Sequence, residues 1–420
     1  MKVLVVGSGG REHAIGRALV TAANVELFTA PGNPGTAAIG ENLPVPAEDI
    51  AGIVAAARSI PVDLVVPGPE APLVAGLADA LAEAGIPCAG PGASAARLEG
   101  SKAFTRALTE AAGVPSPAFR VVERVADLDR ALGAFTSPPV VKADGLAGGK
   151  GVFLPETIEG CRDAAESLLT GRLGGAGSRV VLEERLFGVE ASWFHACRGT
   201  EVVPLPHAMD YKRLYEGEEG PNTGGMGAVS PNPMVGGDLE GTIRQQIVLP
   251  TLRRLQREGT TFRGFLFSGL MVTAAGPMLL EYNVRLGDPE TQAVLPRLLD
   301  GAFLEVCAWV SGMTDAKPRI AFDERAACAV VLATEGYPDA PRTGDAIQIA
   351  DGLETESRWL IHGGTRREGD DLYTAGGRVG AVVARGAALD EARRSAYDGV
   401  RLVQWPGMTH RTDIGLIRDA

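Results

Sequence analysis

The chain has 420 residues, too many for one ordinary hydrophobic core, which predicts about two to four domains. Its net charge of −12 argues against sequence-independent binding to nucleic acid or to anionic membranes. Residues 3–6 are too short an apolar run for a signal peptide, and no stretch of about eighteen apolar residues follows, so we expect a soluble, cytoplasmic protein. The five scattered cysteines favour free thiols in a reducing compartment.

The first 100 residues alternate short apolar strands with helices. The predicted strands are 3–6, 64–66 and 86–89, and the predicted helices are 11–20 and 72–84. Short buried strands separated by helices and Gly/Pro loops indicate a parallel, doubly wound sheet. We therefore predict an N-terminal Rossmann-like domain over residues 1–100, with ligands at the carboxyl ends of its strands.

The loop GSGGREH (7–13) follows the first strand and opens a helix, which suggests a dinucleotide-binding turn. The third glycine of that fingerprint would fall on Glu12, and the second strand runs into Thr29 and Pro31 without an acidic residue for a ribose. A nicotinamide site is therefore not expected. Backbone N–H groups at the helix N-terminus can still hold a phosphate ester, and the alternative is merely a tight strand–helix turn.

A second domain is predicted over residues 101–325. Ser101 caps a helix at 102–112, and Gly113 ends it with two prolines soon after. Residues 326–420 resemble a separate, small α/β module. Its predicted strands and helix are 329–332, 379–384 and 390–397.

The glycine-rich stretch KADGLAGGKG (142–151) lies in a smaller unit of the second domain, at about 115–190. A Walker A loop would need Ser or Thr after Lys150, but Gly151 follows, and a strand rather than a helix comes next. Two strands joined by mobile glycines predict a lid whose N–H groups fold over triphosphate oxygens, with Lys142 adding a charge. The alternative is a long surface hairpin.

Two further polar stretches carry weaker signals. VLEERLFGVEAS (181–192) presents backbone groups and glutamates at a strand-to-loop crossover, where an adenine and a ribose can bind, although solvated surface glutamates are the alternative. PNTGGMGAVS (221–230) follows Asp210 and Lys212 and offers N–H donors to a small anion. Glycine-rich loops without function are equally common.

The run EYNVRLGDPETQ (281–292) is the strongest signal. Strand alternation places Glu281, Asn283 and Arg285 on one face. A carboxylate and a carboxamide oxygen are hard ligands that suit Mg²⁺, which takes few protein ligands and keeps phosphate oxygens and water. Arg285 on the same face can bind a carboxylate or a phosphoryl group. A solvated polar face explains this run poorly, so we predict a metal-and-phosphate site.

In this order, the motifs resemble the glycinamide ribonucleotide synthetase family of the ATP-grasp superfamily. The likeness covers essentially the whole chain, and GPNTGGMG and RLGDPETQ are its most specific parts. Two departures are Gly148, where the family usually has alanine, and Ser8, where asparagine is common. The fold implied is a Rossmann-like domain, an ATP-grasp domain with a mobile lid, and a small C-terminal α/β domain.

The resemblance implies that the γ-phosphate of ATP passes to glycine and that the amine of 5-phosphoribosylamine attacks the resulting glycyl phosphate. It implies catalytic roles for Arg285, Lys142 and Asp210. It implies ATP binding by Lys102, Lys142, Gly148, Gly149, Gly151, Glu183, Glu184, Leu186 and Glu190. It implies binding of the other two substrates by Gly9, Gly10, Arg11, Glu12, Pro69, Glu70, Lys212, Thr223, Gly224, Gly225, Met226, Gly227 and Arg285.

Mg²⁺ or Mn²⁺ would be held by Glu281 and Asn283, and the expected partners are small molecules, with no nucleic acid and no membrane. We expect a monomer. The alternatives are an ATP-grasp ligase that uses formate or bicarbonate, a nucleotide-binding regulatory module without turnover, and a nicotinamide dehydrogenase.

Overall fold

The computed structural model describes residues 1–148, 151–172, 174–236 and 239–417. In the described chain, none of the helices combines the length and the apolar character needed to cross a membrane. The molecule is a multidomain α/β protein, as predicted.

The N-terminal part is built on a parallel sheet with the strand order β3-β2-β1-β4. Its strands are β1 Lys2–Gly7, β2 Glu26–Pro31, β3 Glu41–Asn42 and β4 Leu64–Pro67. Its helices are α1 Gly10–Leu19, α2 Pro34–Ala37, α3 Ile50–Ser59, α4 Glu70–Val74, α5 Leu77–Glu83 and α6 Ala93–Gly100. The predicted Rossmann-like sheet is confirmed.

Two predictions in this part were wrong in detail. The helix expected at 72–84 is two helices, because Gly76 adopts φ +96° between α4 and α5, a left-handed conformation that suits glycine. The strand expected at 86–89 is a single bridge between Val65 and Cys88. Pro87 has no N–H to donate, so the ladder cannot continue through it.

The next part is a small antiparallel sheet with the order β5-β8-β6-β7. Its strands are β5 Phe119–Val122, β6 Val140–Ala143, β7 Val152–Phe153 and β8 Val180–Glu183, and its helices are α7 Lys102–Ala112, α8 Leu128–Leu132 and α9 Ile158–Leu169. The side chain of Ser101 accepts from Phe104 N–H, and Gly113 ends α7 with φ +69°, as the capping signals predicted. Strands β6 and β7 pair antiparallel across the glycine-rich stretch, which confirms a strand–loop–strand and rules out a Walker cradle.

The central part contains an antiparallel sheet with the order β10-β9-β15-β16. The strands here are β9 Val189–Arg198, β10 Glu201–Pro204, β11 Met209–Asp210, β12 Arg213–Tyr215, β13 Glu219–Asn222, β14 Gly227–Ser230, β15 Arg263–Thr273 and β16 Gly276–Asn283. The helices are α10 Glu240–Ile243, α11 Leu249–Arg257, α12 Glu290–Val294 and α13 Ala302–Ser311. Phe194, Phe265 and Trp309 pack with Val3 and Val5 in one core, which fixes this sheet against the N-terminal sheet.

The C-terminal strands form one sheet of their own and share a second sheet with the central part. They are β17 Ala326–Ala333, β18 Ala346–Ile349, β19 Arg358–His362, β20 Thr365–Glu368, β21 Asp371–Thr374, β22 Arg378–Gly386 and β23 Val403–Gln404, with helix α14 Leu389–Val400. The sheet of their own has the order β20-β21-β18-β23. The main sheet has the order β11-β14-β17-β22-β19, so two strands of the central part complete it. This pairing holds the glycine-rich loop between β13 and β14 against the C-terminal part.

Candidate active site

A cavity of about 370 Å³ opens where the N-terminal part, the small sheet, strand β16 and the C-terminal part meet. Ten of the residues predicted for the site line it: Arg11, Glu70, Lys102, Gly148, Gly151, Glu183, Gly224, Glu281, Asn283 and Arg285. Other predicted residues do not line it: Gly9, Gly10, Glu12, Pro69, Lys142, Glu184, Leu186, Glu190, Asp210, Lys212, Thr223, Gly225, Met226 and Gly227. Gly149 lies outside the described residues.

Strand β16 directs its polar residues into this cavity and its apolar residues into the core. Tyr282 and Val284 are buried, and the Tyr282 hydroxyl lies 2.8 Å from that of Thr251. The strand ends at Asn283, so Arg285 follows it rather than belonging to it. Nη2 of Arg285 nevertheless donates to Asn283 Oδ1 at 3.2 Å, which keeps both on one side.

The carboxylate of Glu281 is surrounded by cations. Burial by itself opposes its ionisation. Lys212, Lys142 and Lys102 together outweigh this effect and hold the pKa of the carboxylate below its usual range. Within the described chain the carboxylate makes no hydrogen bond or ion pair, so an ionised oxygen donor is available. Together with the Asn283 amide oxygen, it fits a hard divalent cation that keeps most of its ligands as water and phosphate.

A buried ion-pair network supports the cavity floor. Glu183 accepts from Arg106 at 2.6 and 2.7 Å and lies 2.7 Å from Nζ of Lys142. Burial would raise the pKa of Glu183, but Lys142 and Arg106 hold it at about 2. Because this carboxylate is fully engaged and only 2% exposed, it is not available to bind an adenine.

A bulge in β16 supplies further partners for this network. The register of β15 and β16 shifts between Gly269 and Leu270, beside Leu280. The carbonyl of Leu280 accepts from Arg106 at 2.6 Å and from Lys142 at 3.3 Å. Bulges often re-aim groups beside functional sites, and here the bulge turns a carbonyl towards two cations.

The loop that follows β6 is anchored at the start of α7. Asp144, the residue after β6, accepts from Ala103 N–H at 2.7 Å and from Ser101 Oγ at 3.0 Å, and Arg179 lies 2.9 Å away. Lys102, the first residue of α7, thereby lies beside the loop and donates to Gly145 O at 3.4 Å. Burial lowers the pKa of Lys102, against the attraction of Glu281.

Two carboxylates from the N-terminal part hold Arg285. Glu99 on α6 lies 2.8 Å from its Nη2, and Glu70 on α4 lies 3.2 Å from its Nε. Burial, opposed by Arg285, raises the pKa of Glu99 to about 6. The prediction missed Glu99. Its only local signal was its place two residues before Ser101, which caps α7.

Glu12 ties the N-terminal loops together. Its carboxylate accepts Gly9 N–H at 2.6 Å and pairs with Arg11 Nε at 2.7 Å. A Cβ on Gly68 would lie 2.0 Å from Glu12 Oε1, so only glycine permits this approach. Glu12 therefore stabilises the loops, and Arg11, whose Nη1 donates to Leu286 O at 3.4 Å, lines the cavity.

The loop between β13 and β14 is closely packed. Gly225 N–H donates to Thr223 Oγ1 at 3.0 Å, and the buried Met226 forms backbone hydrogen bonds to Tyr211 and Val331. Gly225 has φ +106°, and a Cβ there would lie 2.3 Å from Pro289 Cδ. The loop is therefore held rigidly, with little room for a side chain.

Arg378 of β22 is a second residue that the prediction missed. Its guanidinium donates to the carbonyls of Gly224 and Asp288, and its Nη2 lies 2.8 Å from Asp288 Oδ2. Arg378, which belongs to the C-terminal part, thus joins the loop between β13 and β14 to the GDPETQ run (287–292). Only the sheet shared by β14, β17 and β22 brings it there.

Asp210 is a buried acid next to this loop. Burial and then the charge of Glu290 raise its pKa well above the usual range, against Lys212 and Arg378. Its Oδ1 is buried without a hydrogen-bond partner among the described residues. Lys212 pairs with Glu190 at 2.7 Å, and this pairing with neighbouring carboxylates raises the pKa of Lys212 despite its burial. An acceptor without a donor fits a bound ammonium group.

The chain was compared with known proteins. Residues 1–99, 100–291 and 327–417 match the profiles described as the N domain, the ATP-grasp (A) domain and the C domain of phosphoribosylglycinamide synthetase. The chain is 46% identical to the phosphoribosylamine–glycine ligase of Streptomyces coelicolor, over 99% of this chain and 98% of that one.

Solved structures have the same fold. The phosphoribosylamine–glycine ligase of Thermotoga maritima is 35% identical, with a TM-score of 0.87 over 99% of this chain and 100% of that one. The biotin carboxylase domain of the Hydrogenobacter thermophilus 2-oxoglutarate carboxylase has a TM-score of 0.74 at 14% identity, over 97% and 91% of the two chains, a likeness of fold alone.

Fold, cavity and profile together define an ATP-grasp ligase. The nicotinamide dehydrogenase considered as an alternative is thereby excluded. Within that class, the chain belongs to the phosphoribosylglycinamide synthetase family.

Proposed function

We propose that the protein joins glycine to 5-phosphoribosylamine at the expense of ATP, giving glycinamide ribonucleotide, ADP and phosphate. The observation that carries the proposal is the face of Glu281, Asn283 and Arg285, which shares one cavity with Lys102, while the charges of Lys142 and Lys212 also act on Glu281. The names of the relatives support the choice of substrates.

ATP would bind between the small sheet and β16. Its phosphates would meet Lys102 and Lys142, and the lid glycines Gly148, Gly149 and Gly151 would cover them. The crossover after β8 would hold the adenine by its backbone at Glu183, Glu184 and Leu186, and Glu190 would hold the ribose. Phosphoryl transfer requires positioning and charge neutralisation more than acid–base groups, and Lys102 and Lys142 would supply the neutralising charge.

A divalent cation, Mg²⁺ or Mn²⁺, would be held by Glu281 and Asn283, and when bound it would neutralise phosphate charge. In the structure described here, Arg285 donates to the same Asn283 oxygen. The amide oxygen of Asn283 has two lone pairs, so it can accept the hydrogen bond from Arg285 and bind the cation at the same time. Glu281 would remain ionised at neutral pH because the lysines lower its pKa.

Glycine would lie between Arg285 and the loop from Thr223 to Gly227. A glycine carboxylate oxygen attacks the γ-phosphorus and ADP leaves, so that glycyl phosphate forms. Asp210, whose Oδ1 has no partner in the described chain, would bind the glycine ammonium group next to Lys212. Holding the reactants in a near-attack pose contributes about 7–11 kcal/mol to lowering the barrier.

5-Phosphoribosylamine would bind to the N-terminal loops. Gly10 and Arg11 would offer an N–H group and a guanidinium to its phosphate beside Gly9, whose own N–H is bound by Glu12, and Pro69 and Glu70 would border the sugar. Its amine nitrogen attacks the carbonyl carbon of glycyl phosphate, the C–O bond to phosphate breaks, and the nitrogen loses a proton as the amide forms. The lid, closing over the cavity, would protect the acyl phosphate from water.

A coupled assay for ADP release tests this function. We expect release that requires both glycine and 5-phosphoribosylamine, with product detected by mass spectrometry. ADP release at the same rate with bicarbonate or formate in place of glycine would instead identify a different ATP-grasp ligase. Release that no acid stimulates would indicate a nucleotide-binding module.

We further propose domains at 1–100, 101–325 with a lid at about 115–190, and 326–420, which the three matched profiles support. We also propose a monomer in the cytoplasm. All five cysteines are unpaired, which supports a reducing compartment. Sedimentation velocity of the whole chain measures the oligomeric state.

A further inference from the structure

A second cavity, of about 350 Å³, lies where three parts of the chain meet. Helix α1 supplies Arg17, the turn after α12 supplies Leu295, and strands β19 and β22 supply Trp359 and Arg385. None of the residues assigned above to ATP, metal, glycine or phosphoribosylamine is among the described residues that line it. It is therefore a space that the proposed reaction does not use.

One wall of this second cavity is apolar. It includes Ile39, Leu295, Phe303 and Ile361, and Leu299 at the wall is 50% exposed. An apolar cavity wall of this kind favours a ligand with an apolar body, since burying both surfaces removes them from water.

Two guanidinium groups meet at the indole ring of Trp359. Cζ of Arg17 lies 5.1 Å from the ring centroid and Cζ of Arg385 lies 5.6 Å from it. Burial lowers the pKa of both arginines, and the positive charge of Arg385 lowers that of Arg17 further. An anion placed beside both would relieve this repulsion.

The surrounding carboxylates leave these charges poorly matched. Glu354 is 4.0 Å from Arg17 and mostly exposed, and Asp323, 3.6 Å from Arg385, lies 2.5 Å from Arg325. Two more acids line the cavity with exposed side chains; they lie beyond ion-pair distance of both arginines in the described chain, although their charges raise the pKa of Arg385: Asp300 and Glu356.

Gln292 adds an acceptor without a donor. Its side chain is 3% exposed, and Nε2 donates to Asp288 Oδ1 at 2.7 Å, which fixes the other amide atom as Oε1. That oxygen is buried and has no hydrogen-bond partner among the described residues. Buried acceptors are normally satisfied, so a ligand with an N–H or O–H group fits here.

We propose that this second cavity binds a small aromatic anion that carries one hydrogen-bond donor. The anionic group pairs with Arg17 and Arg385, the ring packs on the apolar wall, and the donor reaches Gln292. The flat guanidinium and indole groups favour a planar ring over a branched aliphatic body.

Isothermal titration of the intact protein with indole-3-acetate tests this site, because that probe has a ring, a carboxylate and one N–H. We expect a Kd of about 1 mM or tighter. Indole-3-acetamide lacks the charge and 1-methylindole-3-acetate lacks the donor, so each should bind at least about tenfold more weakly.

Two variants locate the binding. Arg17→Gln removes one cation, and Leu299→Trp fills the cavity from a half-exposed position; each should weaken binding of indole-3-acetate at least about tenfold. Arg401→Gln, at the exposed residue that directly follows α14, is the control and should bind like wild type. Thermal unfolding of each variant verifies its fold.

No binding to wild type at about 10 mM indole-3-acetate would overturn the proposal. Equal affinity for the probe and its uncharged amide would overturn it too, as would unchanged binding in a folded Leu299→Trp variant. These measurements read binding alone, so their outcome is independent of the proposed reaction.

Discussion

The carboxylate of Glu99 lies 2.8 Å from Nη2 of Arg285 and also accepts the backbone N–H of Val284 at 2.8 Å. Glu99 lies in the last turn of helix α6 of the N-terminal part, and Arg285 follows β16, which carries Glu281 and Asn283. This ion pair therefore fixes the N-terminal part against the strand proposed for metal and phosphate, and Glu70, in the segment proposed for phosphoribosylamine, contacts the same arginine. Arg285 would thereby align the two binding sites.

Glu99→Gln keeps the shape of the side chain and removes its charge. The pKa of Glu99 is raised to about 6, so the ion pair is formed above about pH 6 and is lost as the pH falls through that value. We expect kcat of the wild type to fall along an acid limb near pH 6. The variant should have a kcat about tenfold lower at neutral pH and no limb there.

Steady-state rates at saturating substrate concentrations measure this difference. The range of roughly pH 5 to 8 is suitable, because a raised carboxylate pKa is visible there. Glu110→Gln, an exposed change on α7, serves as the control and should keep the wild-type profile. An unaltered acid limb in Glu99→Gln would show that another group causes it.

Glu281→Gln replaces an ionised metal ligand with a neutral one. We expect kcat to fall about 100-fold or more, because a bound metal contributes several kcal/mol to neutralising transferring phosphate. The concentration of Mg²⁺ needed for half-maximal activity should also rise. Metal titrations of activity measure both, and wild-type values in the variant would remove Glu281 from the metal site.

Gly225→Ala adds a methyl group where none fits. The Cβ would lie 2.3 Å from Pro289 Cδ and 2.6 Å from Asp210 Oδ1, at a φ of +106°. The loop must shift, and we expect the KM for glycine to rise about tenfold or more with a smaller effect on the KM for ATP.

Gly241→Ala is the matched control for the loop variant. It lies in α10 with nothing within 4 Å of its added Cβ, so substrate kinetics should be unchanged. An equal rise of KM for ATP and glycine in Gly225→Ala would point to a general distortion rather than a glycine pocket.

Glu183→Gln tests the buried network under the cavity. Its pKa falls from 4.5 in a free side chain to about 2, so the folded state favours the ion. The resulting stability is present above about pH 4.5 and is lost as the pH falls towards 2, since protons then bind the unfolded chain first. At about 1.4 kcal/mol per pH unit, the 2.5-unit difference (4.5 − 2) amounts to about 3 kcal/mol.

Urea denaturation of wild type and Glu183→Gln measures this contribution. The variant should have a lower midpoint at pH 7, because Lys142 and Arg106 lose their partner, and the gap should narrow at about pH 4 and below. A gap independent of pH would assign the loss to packing instead.

Much of the local architecture follows from the sequence. Ser101 and Gly113 mark the ends of α7, and the glycines between two apolar runs predict strand–loop–strand, because caps and glycine conformations act within a few residues. Strand alternation predicts that Glu281 and Asn283 share a face. These are short-range consequences of backbone geometry.

Only the tertiary structure decided which distant charges meet. Glu99, Arg106 and Arg378 are ordinary residues of helices and a strand by sequence, yet each contacts the cavity wall. Their positions depend on how whole sheets pack and on β14 pairing with β17, for which no local pattern gives a signal. By itself, the sequence determined a ligand-binding strand face. Long-range packing supplied the carboxylates that fix Arg285 on this face and Lys142 beside it.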